Sequence, residues 1–254
     1  DVNTRSGWYS KAVTEATTGG AFVEVGEDDP TWGGAPITFP RIQGADVCGM
    51  IVAVGGGVDP TRIGERVITD GWLRDVADPT NMDKTGYFGS ERDGGFSEYT
   101  TTPARNALVV KSNLSDAELA TFSCSYSTAE GMLIRAQVSR ADTVLVPGAS
   151  GGVGGALVQL AKRRGARVIA MASHAKHKEV DALGPDKILH RAPKNLRVAL
   201  DDEKVTVVAD IVGGPYWPNL IDILERGGRY TCSGAIAGPM VELDLRTFYL
   251  RDLT

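Results

Sequence analysis

The amino-acid sequence predicts an α/β protein in which a β-rich unit is followed by a doubly wound parallel sheet. From Thr143 onward, apolar β-branched runs alternate with amphipathic segments of helical length, as in a parallel sheet covered on both faces. Before about residue 110 the chain is rich in Gly and Pro, with short alternating runs and no long helical period. That pattern reads as compact β structure.

In the first region, Met50-Ile51-Val52-Ala53-Val54 and Phe96-Ser97-Glu98-Tyr99-Thr100 are the clearest strands. Residues 10–40 and 71–94 are polar, rich in Gly and Asp and long for simple connections; they read as lids or rims, or equally as surface insertions. At Leu114-Ser115-Asp116 the pattern changes. Ser115 stands as a helix cap before Asp116–Ala120, and helical spacing continues toward Val138. The expected domains are therefore 1–113 and 114–254. Strands follow at 143–147, 167–172, 187–189, 205–212 and 229–234, with helices near 152–164, 175–183, 194–202 and 216–226. Five strands are counted where a complete fold of this kind has six, so the chain is expected to be truncated.

With 254 residues, 42% of them hydrophobic, the chain has material for one large domain or two ordinary ones. A net charge of -5 without a long basic run weighs against nucleic acid as a partner. The polar start Asp1–Gly7 has no signal-peptide core and no long apolar run follows, so neither membrane nor export is indicated and the cytoplasm is expected. Cys48, Cys124 and Cys232 are far apart with no CxxC pair, which excludes a readable disulfide framework or zinc knuckle and suggests buried free thiols. The three histidines, His174, His177 and His190, all follow residue 173. Everything before them works without imidazole.

The chemistry lies between the strand at 143–147 and the helix that follows, in Gly148-Ala149-Ser150-Gly151-Gly152-Val153-Gly154. Glycines permit the sharp strand-to-helix turn and let backbone N–H groups approach a pyrophosphate, and the helix N-terminus adds partial positive charge. Gly148, Ser150, Gly151, Gly152, Val153 and Gly154 are thus the expected cofactor-binding residues of a dinucleotide site. The same letters spell G-x-S-x-G with Ser150 central, the nucleophile elbow of a hydrolase. Asp210 offers an acid for such a triad, but no histidine follows it in this chain. An Asp or Glu at the end of the second strand would hold the ribose of NAD. The chain has Ala172-Ser173-His174-Ala175-Lys176-His177-Lys178 instead, a hydroxyl followed by cations that suits the 2′-phosphate of NADP(H), with Ser173 and Lys176 as its binders.

The chain resembles the medium-chain dehydrogenase/reductase superfamily, zinc-type alcohol dehydrogenase-like, and in particular its quinone oxidoreductase-like branch. The motifs are Asp1 with Arg5-Ser6-Gly7 and Tyr9, Gly44-Ala45-Asp46-Val47-Cys48-Gly49, Gly64-Glu65-Arg66-Val67, Asp93-Gly94-Gly95-Phe96-Ser97-Glu98-Tyr99, the glycine loop, Asp210-Ile211-Val212-Gly213-Gly214 and Gly227-Gly228-Arg229 before Gly234. The resemblance implies a GroES-like substrate domain joined to a Rossmann domain, both incomplete, with the active site in the cleft between them. It adds Val212 and Gly234 to the cofactor set and implies a homodimer.

Zinc-dependent members carry Gly-His-Glu where this chain has Gly44-Ala45-Asp46, and alanine cannot ligate a metal. Only Cys124 matches a ligand position, and 71–94 lacks the cysteines of a structural zinc lobe. No zinc is expected. Hydride transfer from NADPH to an already activated acceptor, a quinone or conjugated enone, is then the expected activity. Tyr9 matches a tyrosine lining the cleft in quinone reductases, and Asn3 replaces another. Tyr126, Ser127 and Thr128 are expected near the nicotinamide. The alternatives are a zinc-type alcohol dehydrogenase and a dinucleotide-binding protein without turnover.

Overall fold

A computed structural model describes residues 1–17, 29–36 and 38–254. Of the segments read as rims, residues 18–28 and 37 lie outside the described residues. The described chain forms two compact units, residues 1–13, 29–36 and 38–124, and residues 14–17 with 125–254.

The first unit opens with a short helix, α1 (Val2–Arg5). Its main sheet is antiparallel, with β2 (Arg66–Thr69) between β1 (Cys48–Met50) and β5 (Ala107–Val109). Ile68 pairs with Cys48 on one side and Leu108 on the other. Along β2 the buried residues are Val67 and Thr69, the period-two alternation of a half-buried strand. A second ladder joins β3 (Trp72–Leu73) to β4 (Gly86–Tyr87). Trp32 packs on both strands, 5.5 Å from Trp72 and 5.2 Å from Tyr87 between ring centroids. Phe88 beside them is only 1% exposed. Residues 71–94 therefore include strand and core.

Two strand expectations need correction. Only Met50 of the run 50–54 lies in a strand; Ile51 instead exchanges hydrogen bonds with Gly64 and Glu65 across a turn. Phe96–Thr100 forms no strand. Gly94 and Gly95 pack so tightly on residues 43–47 that a Cβ on Gly94 would lie 2.4 Å from the Gly44 carbonyl oxygen. Close backbone contact holds this stretch in place of a ladder, and Phe96 and Tyr99 are left exposed.

The helical stretch after residue 114 divides into α2 (Asp116–Ala120) and α3 (Phe122–Arg135). A reciprocal capping box starts α2: Ser115 Oγ accepts from the Glu118 N–H, and the Glu118 carboxylate accepts from the Ser115 N–H at 2.8 Å.

The second unit is a five-stranded parallel sheet made of β6 (Thr143–Val146), β7 (Arg167–Ala172), β8 (Lys187–His190), β9 (Val205–Asp210) and β10 (Leu224–Cys232). Its order is β10-β9-β6-β7-β8, the doubly wound arrangement with the first strand at the switch point. The connecting helices are α4 (Gly152–Arg163), α5 (His177–Asp181), α6 (Leu196–Leu200) and α7 (Trp217–Asp222), with α8 (Leu245–Leu250) after the last strand. Val144 and Val146 share one core with Met132, Leu133, Leu157 and Val158. Leu145, Ile169 and Val208 share the other with Leu196, Trp217 and Leu220. Burying both sheet faces explains the continuous apolar runs.

The helix expected over 216–226 stops at Asp222, and strand begins at Leu224. The register of β10 shifts between Leu224 and Arg229, where Gly227 adopts φ +73°. No helix among the described residues is long and apolar enough to cross a membrane. The free cysteines also differ from expectation: Cys48 and Cys124 are half-buried and Cys232 is exposed.

Candidate functional site

The glycine loop turns β6 into α4 through two backbone constraints. Gly148 takes φ +68°, a left-handed conformation that disfavours a side chain. Gly154, in the first turn of α4, sits where a Cβ would be 2.2 Å from the Gly148 carbonyl oxygen. The turn is closed by the Gly151 N–H donating to Gly148 O at 3.0 Å, and the Ala149 N–H ties it to Met171 O of β7 at 3.1 Å. Gly151 caps α4 without a side-chain bond, so the first-turn N–H groups of this twelve-residue helix have no capping side chain. A cradle of backbone donors with no Cβ in the way fits a pyrophosphate. Ser150 is exposed, and Gly152 and Val153 begin the helix.

Val212 and Gly234 join this edge of the sheet through a clamp that the sequence did not reveal. Asp210, at the end of β9, is fully buried. It accepts from the Val212 N–H at 2.7 Å, from the Gly213 N–H and from the Tyr230 hydroxyl at 2.8 Å. This fixes Val212 against the loop, where a Cβ on Gly148 would meet Val212 Cγ2 at 2.9 Å. Gly234 approaches the same turn: its Cβ would lie 2.7 Å from Ile211 O. Burial, with Asp210 beside it, pushes the Tyr230 phenol well above its ordinary range. Asp210 uses its oxygens on this clamp, which leaves no role for it as a triad acid with Ser150.

At the end of β7, Ser173 is half-buried with no carboxylate in its place. Lys176, expected to share in that binding, is exposed. Its Nζ donates to both Glu179 oxygens, at 2.8 and 2.9 Å.

In the first unit, a polar cluster forms around Cys124. Asp46 Oδ1 accepts from the Cys124 N–H at 2.7 Å, and burial pushes its carboxyl above the ordinary value against that bond. The Tyr87 hydroxyl hydrogen-bonds the Cys124 thiol, and burial, reinforced by Cys124, raises this phenol far above its usual range. Tyr9 is raised too, by burial first, against hydrogen bonds from Asn3 and Thr4. Asn3 and Tyr9 are thus brought together. Tyr87, inside a stretch read as a rim, was missed. Tyr126 and Thr128 belong to the other unit, on α3, where the Tyr126 hydroxyl accepts from Gln159 Nε2 at 2.8 Å. These residues do not fit a zinc: position 45 carries no donor, the thiol is hydrogen-bonded to Tyr87, and no group of three His, Cys, Asp or Glu among the described residues could hold a metal.

An alcohol dehydrogenase GroES-like domain family matches residues 20–112, and a zinc-binding dehydrogenase family matches residues 152–254. The acryloyl-coenzyme A reductase of Metallosphaera sedula is 30% identical over 225 residues, covering 85% of this chain and 67% of that protein. The chain belongs to the medium-chain dehydrogenase/reductase superfamily. Within this superfamily it is zinc-type alcohol dehydrogenase-like, as its motifs imply. The NAD-dependent alcohol dehydrogenase of Sulfolobus acidocaldarius is 27% identical over 79% of this chain. A solved structure of a putative alcohol dehydrogenase from Sinorhizobium meliloti is 49% identical over 85% of this chain, with a TM-score of 0.80. The chain spans 62% of the length of the Sulfolobus protein and 61% of the Sinorhizobium chain. The GroES-like and Rossmann readings of the two units agree with these superfamily members.

Proposed function

We propose that this chain is the core of an NADP(H)-dependent, zinc-independent oxidoreductase that transfers hydride to a conjugated acceptor, a quinone or an enone. The observation that carries this reading is the glycine cradle before α4 combined with Ser173, in place of an acid, at the end of β7. A bound dinucleotide supplies the hydride. The chain supplies the rest. Backbone N–H groups from Gly152 to Gly154 would hold the pyrophosphate, and Asp210 keeps Val212 and Gly213 in place beside them. In the first unit, Tyr9 is kept protonated by burial and is a neutral hydroxyl donor for an oxygen on which negative charge develops.

The absent imidazole at Ala45 supports an acceptor that needs no Lewis acid. A relative named for a conjugated thioester, acryloyl-coenzyme A, agrees with it. A homodimer belongs to the same reading and rests on the resemblance alone.

The test is steady-state turnover by the purified full chain with NADPH and NADH across quinones, enones and aldehydes, with and without added zinc. Enone or quinone reduction favouring NADPH and indifferent to zinc is expected. Aldehyde reduction that requires zinc would establish the alcohol dehydrogenase alternative, and tight NADPH binding with no turnover would establish a non-catalytic binder.

A further inference from the structure

We infer that Ser125 is a further coenzyme-binding residue: its hydroxyl is the side-chain donor of a cradle otherwise built from backbone, and it bonds a pyrophosphate oxygen at the start of α4. The inference rests on the reading that the second unit binds a dinucleotide. It holds for NADPH and NADH alike, because both carry that pyrophosphate.

Ser125 lies in the first turn of α3 and Gly152 opens α4, both within the second unit. A Cβ on Gly152 would lie 2.7 Å from Ser125 Oγ and 3.6 Å from Ser125 Cβ. The hydroxyl therefore occupies the space that a side chain at position 152 would need. Glycine here does two things: it leaves the first N–H groups of α4 uncovered, and it lets a hydroxyl from another helix stand beside them.

A serine inside a helix commonly returns its hydroxyl to a carbonyl one turn back. Ser125 does not: among the described residues its hydroxyl has no hydrogen-bond partner. Nor does it cap α4, whose start carries no side-chain bond. The Ser123 hydroxyl, earlier in the same helix, is sealed from solvent, whereas Ser125 is half-buried with its hydroxyl open. This hydroxyl and the first-turn N–H groups of α4 are thus donors side by side with no acceptor between them. An anion with several oxygens satisfies both at once, and a hydroxyl-to-phosphate bond is charge-assisted. Neither α3 nor α4 has an acidic residue in its first turn, so no carboxylate from those turns competes for the place.

The packing of the two helices holds the hydroxyl where it is. Gln159 Nε2 on α4 donates to the Tyr126 hydroxyl at 2.8 Å and to Gly155 O at 3.2 Å, which pins the residue after Ser125 to the second turn of α4. Met132 and Leu133 of α3 share their core with Leu157 and Val158 of α4. A donor placed by rigid elements binds without a large ordering cost.

Isothermal titration of the full chain with NADPH, NADH and adenosine 2′-phosphate, which lacks the pyrophosphate, tests this. Ser125→Ala is expected to weaken both coenzymes by the same factor, about tenfold, and to leave adenosine 2′-phosphate within about twofold. Its urea midpoint stays level, because the hydroxyl has no partner to lose within the described chain. Gly152→Ala displaces the hydroxyl, so it costs less coenzyme binding in the Ser125→Ala background than it does alone. Coenzyme binding unchanged by Ser125→Ala overturns the inference and leaves the dinucleotide reading standing. A loss that extends to adenosine 2′-phosphate and lowers the midpoint also overturns it, by marking a structural role. An unmodified chain that binds neither coenzyme overturns the reading itself. Ser125→Ala decides the matter even if Gly152→Ala fails to fold.

Discussion

A Cβ on Gly154 would lie 2.2 Å from the carbonyl oxygen of Gly148. Both groups are backbone, so no side-chain rotation relieves the contact. Substituting Gly154 must push the first turn of α4 away from the end of β6. Gly154→Ala is expected to weaken dinucleotide binding by at least about tenfold and to destabilise the second unit by about 2 kcal/mol. Gly155 provides the contrast, because its Cβ would first meet Leu183 Cδ1 at 3.3 Å, a flexible side-chain end. Coenzyme fluorescence titration and urea melts of both variants check this. Equal binding by Gly154→Ala and the unmodified chain would remove the cradle from the argument.

Ser173 stands where NAD-selective relatives of the fold place a carboxylate. Ser173→Asp puts a negative charge against a 2′-phosphate and offers an acceptor to a free ribose hydroxyl. NADPH affinity is expected to fall by at least about tenfold while NADH affinity rises. Dissociation constants for both coenzymes measure this directly. Parallel loss of both would show that position 173 does not face the ribose.

The parts of the site legible in the sequence were those set by local spacing. Gly148 to Gly154 between a strand and a helix specifies the turn, because φ and close backbone approach are properties of those residues themselves. Ser115 announced its helix in the same way. What stayed hidden depends on partners distant in sequence. The approach of Ser125 to Gly152 is a matter of helix packing, and the hydrogen bond of Tyr87 to Cys124 joins residues on separate elements. Phe96–Thr100 alternates like a strand, yet the glycines before it dock on Gly44 and no ladder forms. Lys176 is a different case. A glutamate three residues on, at position 179, is a local signal that this lysine has a partner.

The cluster at Cys124 predicts the response to metal removal. Asp46 accepts the Cys124 N–H and Tyr87 holds the thiol, with Ala45 between no donors of its own. Dialysis against a chelator is expected to leave coenzyme-dependent turnover within about twofold, since the proposed chemistry calls on no Lewis acid. Elemental analysis of the purified chain should find well below one zinc per chain. A loss of turnover that zinc alone restores would contradict the proposed chemistry.

Asp142 and Arg229 predict how the second unit responds to acid. The Asp142 carboxylate, just before β6, accepts from the Ser139 N–H and the Thr206 hydroxyl, each at 2.8 Å, and from the Arg229 guanidinium. Arg229 also donates to Ala136 O at 2.7 Å, tying β10 to the end of α3. Burial alone would raise this carboxyl, but the Ser139, Thr206 and Arg229 interactions outweigh it and hold it below the ordinary carboxylate value. The native state therefore binds fewer protons here than the unfolded chain. Its stabilisation is complete above the unfolded value of about 3.9 and disappears as pH falls through the lower native value. Asp142→Asn leaves Arg229 without its anionic partner and should cost about 3 kcal/mol at pH 7. Asp186 and Glu203 are depressed as well, so acid sensitivity persists in the variant with a shallower slope. Urea melts at pH 7 and between pH 3 and 5 measure both effects. An unchanged midpoint at pH 7 would mean that Arg229 finds equal support elsewhere, and the network would then contribute nothing to holding β10 in the sheet.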